Sequence, residues 1–197
     1  MVNVTIVGYF ILGFYLVVLS SMQVAIETPP RTLLEVYKSL PEGTHIQLIE
    51  DNLVMSPAPL DRHQKTLGIL SRLIGNFIDE GNLGEIRFAP YDVYLDAKNA
   101  FQPDLVFIAK ENVHLIQEDG LHGTPDLVLE VLSPSNLNYD MTNKKDVYER
   151  NGVKEYWMVD PKTNNTIGYT LVGGKFQAIS SMPGVITSIL FQTEFRF

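Results

Sequence analysis

Apolar residues Leu67, Leu70, Leu73, Ile74, Phe77 and Ile78 recur at three- and four-residue steps within residues 60–79. That spacing predicts an amphipathic helix, with Asp61 helping to cap its start and Gly81 stopping it. Residues 32–40 predict a shorter helix, ended by Pro41-Glu42-Gly43. Residues 46–49 and 53–56 predict a hairpin around Glu50-Asp51-Asn52. Residues 85–95 read as one long strand, alternating at Val93 and Leu95. Residues 105–108 and 127–132 are continuous apolar runs, the pattern of strands buried on both faces. A second helix is expected over 138–151, closed by Gly152. A strand follows over 155–159, then a hairpin of 166–171 with 175–179 around Gly173-Gly174. Beyond Pro183-Gly184 the pattern defines no element. Strands cluster mid-chain with helices on either side, so the expected class is α/β, a mixed β-sheet flanked by helices.

The 197 residues are enough for one domain, and 45% hydrophobic content supplies a core. Residues 1–26 carry no charge, and residues 4–19 are almost wholly apolar. The length would suit a membrane anchor. A signal peptide would want a basic segment before the apolar run, and none is there. A third reading starts the protein at Met22, which makes 1–21 an upstream extension and 22–197 a single domain. Under the extension or anchor reading the functional body is cytoplasmic, in keeping with a chain that has no cysteine.

Charge and composition narrow the chemistry. The absence of cysteine removes disulfides, thiolate zinc sites and a cysteine nucleophile. His45, His63, His114 and His122 lack the paired spacing of a histidine zinc site. A net charge of -8 counts against a simple nucleic-acid binder but not against a nuclease, whose metal-binding acids add negative charge. Two local basic clusters stand out, Lys144, Lys145, Arg150 and Lys154, and Arg62, Lys65 and Arg72.

The run Pro125-Asp126-Leu127-Val128-Leu129-Glu130-Val131-Leu132 places Glu130 inside a buried strand, where a lone charge is costly. Strand alternation sets Asp126, Val128 and Glu130 on one face. Pro103-Asp104 opens a second buried strand. Asp140, Lys144 and Tyr148, four residues apart in turn, share a helical stripe. Each feature has an ordinary reading: a turn aspartate, a buried ion pair, a solvated helix face. Together they describe two acids able to hold a hard divalent ion beside an ammonium group, the parts needed to hydrolyse a phosphodiester. Oxygen ligands favour Mg2+ or Mn2+ over Zn2+. The D-x-K triplets Asp96-Ala97-Lys98 and Asp160-Pro161-Lys162 are set aside. The first precedes both Pro-Asp pairs, and proline ends the strand in the second.

These residues resemble the Uma-type "putative restriction endonuclease" family of the PD-(D/E)XK nuclease superfamily. The likeness is carried by Phe101-Gln102-Pro103-Asp104-Leu105-Val106 and by Gly123-Thr124-Pro125-Asp126 through Glu130 to Ser135. It continues over Asp140, Lys144 and Tyr148 to Gly152-Val153-Lys154-Glu155-Tyr156-Trp157. It implies a restriction-endonuclease-like fold and a Mg2+- or Mn2+-dependent endonuclease acting on DNA. By that likeness Asp104, Glu130 and the carbonyl of Val131 are metal ligands, Lys144 and His63 are catalytic, and Asp126, Asp140 and Tyr148 support them. The superfamily's lysine two residues after the glutamate is Leu132 here, so the resemblance moves that role to Lys144, with Lys145 as competitor. Gln47 stands where the family often has glutamate, and Asp51 where it often has glycine. A homodimer is expected, because cutting both strands uses paired sites and two-fold pairs are the commonest oligomers. Two rival readings stay open: a non-catalytic module of the same fold that binds protein or DNA, and a membrane-tethered adaptor.

Overall fold

The computed structural model describes residues 30–41, 43–55, 58–133 and 139–197, apart from the side chains of 139–141. The apolar segment 1–21 lies outside the described residues, as do Ser56 and Asn138. Thr32 caps α1 (Leu33–Lys38), its hydroxyl taking the Glu35 N–H while the Glu35 carboxylate reaches back to the Thr32 backbone. Strands β1 (Ile46–Ile49) and β2 (Asn52–Met55) form the expected hairpin. Its turn residues Glu50 and Asp51 both adopt positive φ, 48° and 57°, as a two-residue hairpin turn requires. Helix α2 (Asp61–Gly81) follows. Asp61 does not cap it: Leu60 holds the cap position without a side-chain bond, and Asp61 lies in the first turn, where its charge favours the helix dipole. The stop is Asn82, in the left-handed conformation, rather than Gly81.

The strand expected over 85–95 is two strands in different sheets, β3 (Gly84–Phe88) and β4 (Val93–Asp96). Pro90 between them lacks the N–H that would continue a ladder. Next come β5 (Asn99–Phe101), β6 (Leu105–Ala109), a 3-10 helix over Lys110–Leu115, β7 (Ile116–Gln117), β8 (Gly120–His122) and β9 (Leu127–Val131). The second expected helix opens as a π-helix, Tyr139–Lys144, and becomes regular only in α3 (Lys145–Asn151). Strands β10 (Glu155–Val159), β11 (Thr166–Val172) and β12 (Lys175–Ile179) follow. The tail, for which the pattern defined nothing, forms a hairpin of β13 (Val185–Ser188) and β14 (Thr193–Arg196).

Among the described residues the strands make two six-stranded mixed sheets and the C-terminal hairpin. The central sheet runs β12-β11-β10-β9-β6-β3 and the other β2-β1-β5-β4-β8-β7. In the central sheet β9 and β10 pair in parallel, which requires a crossover; the π-helix and α3 lie in it. Leu67, Leu70, Ile74 and Ile78 of α2, with Ile186 and Phe195 of the tail hairpin, cover one face of this sheet through Leu105, Phe107, Leu127, Leu129 and Val131. Each such side chain contributes about 1.5–3 kcal/mol on burial. The opposite face, through Val106, Val128, Tyr156 and Met158, packs on α3 and on Ile49, Val93 and Phe101 of the other sheet. The fold is thus the expected α/β class, mixed sheets flanked by helices. Among the described residues, no helix is long and apolar enough to cross a membrane.

Trp157 leaves no room on its neighbour strand. A Cβ added at Gly168 would fall 2.4 Å from the Trp157 ring, which is wholly buried. Gly168→Ala should therefore cost about 1–3 kcal/mol through overpacking, read as a lower urea midpoint at unchanged m-value.

Candidate active site

The antiparallel pairing of β6 with β9 sets Leu105 opposite Leu129, Val106 opposite Val128 and Phe107 opposite Leu127. Asp104, the residue just before β6, lies beside Glu130 at the end of this ladder. The side chains follow: the Asp104 N–H lies 3.4 Å from Glu130 Oε2, and the Val131 N–H donates to Asp104 Oδ2 at 2.7 Å. Alternation along β9 turns Leu127, Leu129 and Val131 towards α2. It turns Glu130 the other way, towards α3, where Lys144 Nζ meets Oε1 at 2.8 Å and the Tyr148 hydroxyl donates to the same oxygen at 3.1 Å. Glu130 and Lys144 are both buried. Their closeness and the added phenol bond answer the desolvation cost that a lone glutamate in β9 would carry.

His63 enters from the first turn of α2, its Nε2 at 3.0 Å from Asp104 Oδ2. Burial lowers its pKa, but the hydrogen bond and charge of Asp104, with the charge of Glu130 and the nearby Val131 backbone, outweigh it, leaving the imidazole above its ordinary value. The Val131 N–H faces Asp104, and in an extended strand the carbonyl of the same residue faces the same side, so the Val131 oxygen is turned towards these residues. The approach to Asp104 is itself pinned. The buried Gln47 accepts the Gln102 N–H at 3.0 Å, and Gln102 Nε2 donates to Asp92 Oδ1 at 2.8 Å and to the Thr44 carbonyl at 3.1 Å. In the sequence Gln47 reads only as a missing acid, and this bracing role is not visible there. No local motif marks it, because the partners come together only through the pairing of β1 with β5.

Asp104, Glu130, Val131, Lys144, Tyr148 and His63 are therefore brought together. Asp126 is not with them. It precedes β9 at the strand's other end, where it accepts from the Ala109 N–H at 2.7 Å, from the Asn112 amide, and from Lys154 Nζ at 2.7 Å. Its alternation partner Glu130 shares its face but lies about four residues of strand, roughly 13 Å, further along, so the shared cleft expected for the two does not form. The Asp140 side chain lies outside the described residues. Lys145, the rival to Lys144, lies over the Tyr169 ring instead, 4.8 Å from its centroid. Glu50 pairs with Arg150 and Asn99. In the two rejected triplets, Asp96 binds the Asn99 and Asn151 amides, and Asp160 binds the Lys162 N–H and the Thr163 hydroxyl.

As a donor set, Asp104, Glu130 and the Val131 carbonyl are hard oxygens. Two carboxylates with the other positions left to water and phosphate is the usual way Mg2+ is held. Among the described residues no three His, Asp or Glu side chains form a metal cage; the third donor here is a peptide oxygen. The residues fit such an ion.

Residues 33–195 match the Uma2 family, described as "Putative restriction endonuclease". The chain belongs to that family. A solved structure with the same fold is that of "a putative nuclease belonging to DUF820 from Anabaena variabilis ATCC 29413". It aligns with a TM-score of 0.68 at 17% identity, over 83% of this chain and 92% of that one. No curated protein matches the chain.

The Glu130–Lys144 pair should behave as a coupled unit. Lys144→Met should lower stability by about 3–5 kcal/mol at neutral pH, because it strips a buried carboxylate of its counter-charge. Glu130→Gln combined with Lys144→Met should cost clearly less than the sum of the single changes. Lys145→Met should cost no more than about 1 kcal/mol. Urea unfolding of the four variants checks all three statements.

Proposed function

We propose that the protein is an endonuclease of the restriction type that hydrolyses phosphodiester bonds in DNA and depends on Mg2+ or Mn2+, acting in the cytoplasm. The observation that carries this reading is the placement of Asp104 beside Glu130, with Lys144 on one oxygen of Glu130. Asp104, Glu130 and the Val131 carbonyl would hold the ion. When bound, it supplies charge neutralisation and activates water at neutral pH.

The chain's own groups then divide the remaining work. Lys144 carries positive charge where negative charge grows on the phosphate oxygens, and its pairing with Glu130 fixes it there before substrate arrives. His63, braced by Asp104, is raised in pKa, so it takes up a proton more readily than a free imidazole on the α2 side. Tyr148 holds Glu130. Arg62 and Lys65 flank His63 on α2, are exposed, and form no ion pair among the described residues. They suit contacts to the phosphate backbone, despite a net charge of -8.

Plasmid and single-stranded DNA incubated with the protein should be cut in Mg2+ or Mn2+ and left intact with chelator. Glu130→Ala and Lys144→Met should each lower the rate at least about 100-fold, while Lys145→Met stays near wild type. Metal-independent cutting, or equal cutting by Glu130→Ala, contradicts the assignment. DNA binding without any cutting would favour the non-catalytic alternative, to which the neutral Gln47 lends some support.

We further propose a homodimer, since breaking both strands of a duplex calls for two such sites. Sedimentation of the purified chain should give twice the 22.2 kDa mass; a monomer that still cuts both strands would remove the proposal.

A further inference from the structure

A cleft of about 790 Å3 opens between α1, the approach to β4 and the turn joining β7 to β8, and neither Asp104 nor Glu130 lines it. Asp92 is its hub. The Tyr37 hydroxyl donates to Asp92 Oδ1 at 2.7 Å, and Gln102 Nε2 donates to the same oxygen at 2.8 Å. Asp92 Oδ2 has the Tyr94 hydroxyl at a long 3.4 Å. The side-chain carbonyl of Gln102 accepts no bond among the described residues. The lining therefore has acceptors to spare. It is also acidic: Asp92, Glu118 and Asp119 stand against Lys38 alone among the described lining residues. Burial, and after it the charges of Asp92 and Asp119, push the Tyr94 hydroxyl above its ordinary pKa, so both acids act at this ring.

Lys38 shows what the cleft accepts. Its Nζ lies 4.3 Å from the centroid of the Tyr94 ring and 3.4 Å from Asp119 Oδ2. An aromatic face beside a carboxylate attracts a cation by the ring quadrupole and by charge together. The ring is held in place. Tyr37 meets it edge-on at 6.2 Å, and His122, itself 2.7 Å from Asp119, lies 4.6 Å away. The lysine is not so held, since its side chain is 38% exposed and its stem is flexible. The wall is fixed and the cation on it is replaceable. Anionic groups such as phosphate are repelled by the same acids. We propose that this cleft binds a small organic cation, an ammonium or guanidinium on a short aliphatic body. Its head lies between the Tyr94 ring and Asp92, with its N–H groups donating to Asp92 Oδ2 and the Gln102 carbonyl. Lys38 is the chain's own stand-in for that head. The proposal needs no ion at Asp104 and Glu130.

The test is titration calorimetry of the full chain at low salt with butylammonium and ethylguanidinium, and with butanol as the neutral control. At least one cation should bind with Kd below about 1 mM, and butanol should not bind. Asparagine at position 92 keeps an acceptor for Tyr37 and Gln102, so Asp92→Asn should fold and weaken binding about tenfold. Glu50→Gln, which removes an acid that pairs with Arg150 outside the cleft, should leave the affinity unchanged. Lys38→Met should tighten binding about threefold by removing a like charge. Lys98→Met removes the same charge beside Asp51 and should change nothing. Proton spectra of wild type give a reading that needs no variant: the bound probe's methylene signals should move upfield and show Overhauser contacts to tyrosine ring protons. The proposal is overturned if neither cation binds, if butanol binds as well, or if Glu50→Gln weakens binding as much as a folded Asp92→Asn. Equal effects of Lys38→Met and Lys98→Met, or a bound probe without tyrosine contacts, also overturn it.

Discussion

The register of β6 on β9 is the constraint from which the candidate site follows. Asp104 and Glu130 are 26 residues apart in the chain, and nothing local holds them together. The antiparallel ladder does so, because its last pair, Leu105 with Leu129, leaves Asp104 and Glu130 side by side at its end. Register here is strongly specified. Leu127, Leu129 and Val131 fill the core under α2 while Val128 fills the core over α3, and a slip of one residue would send every one of these side chains to the wrong face. The same hydrophobic pattern that stabilises the sheet therefore aims Glu130 at α3 and fixes where its carboxylate stands.

A buried carboxylate is tolerable only with a partner, and the crossover between β9 and β10 supplies it. The chain enters α3 through a π-helix that ends at Lys144. Such wide turns shift the phase of the residues that follow and occur often at functional positions. Lys144 and Tyr148 lie one turn apart and meet the same oxygen of Glu130. A lysine carried on β9 itself, at the position of Leu132, would have had to share the face of Glu130 by alternation. Carrying it on the crossover lets the ammonium approach from outside the sheet. The far end of α3 is tied to the other sheet, where Asn151 donates to Asp96 and Arg150 pairs with Glu50. The bonds from Gln47 and Gln102 brace the strand that delivers Asp104 in a similar manner. Both halves of the site are thus held from the same supporting sheet.

Much of this was legible in the sequence where a strong period or an out-of-place charge spoke for itself. The apolar spacing of α2, the two fully buried strands and the anomalous Glu130 within one of them were enough to bring Asp104, Glu130 and Lys144 into one hypothesis. What the sequence hid was set by contacts distant in the chain. Ile86 and Phe88 alternate in one phase and Val93 and Leu95 in the other, and the different partners of β3 and β4 show that Pro90 divides them between sheets. Asp126 lies on the Glu130 face by count, yet strand length carries it to the opposite end, where Lys154 and Asn112 take it up. The tail strands are four residues each, too short for a period to register, and are held by burial of Ile186 and Phe195 against α2. Gln47 reads as a lost acid, but its role as a brace appears only once β1 lies beside β5.

The claim that matters most is convergence of two distant acids on a single cation. Anomalous diffraction from crystals soaked in Mn2+ tests it without reference to activity. The account expects one strong peak bonded to oxygens of Asp104 and Glu130 and to the Val131 carbonyl, in line with Lys144. A peak that touches only one of the two carboxylates, or one that forms instead among Glu50, Asp51 and Asp96, would contradict it.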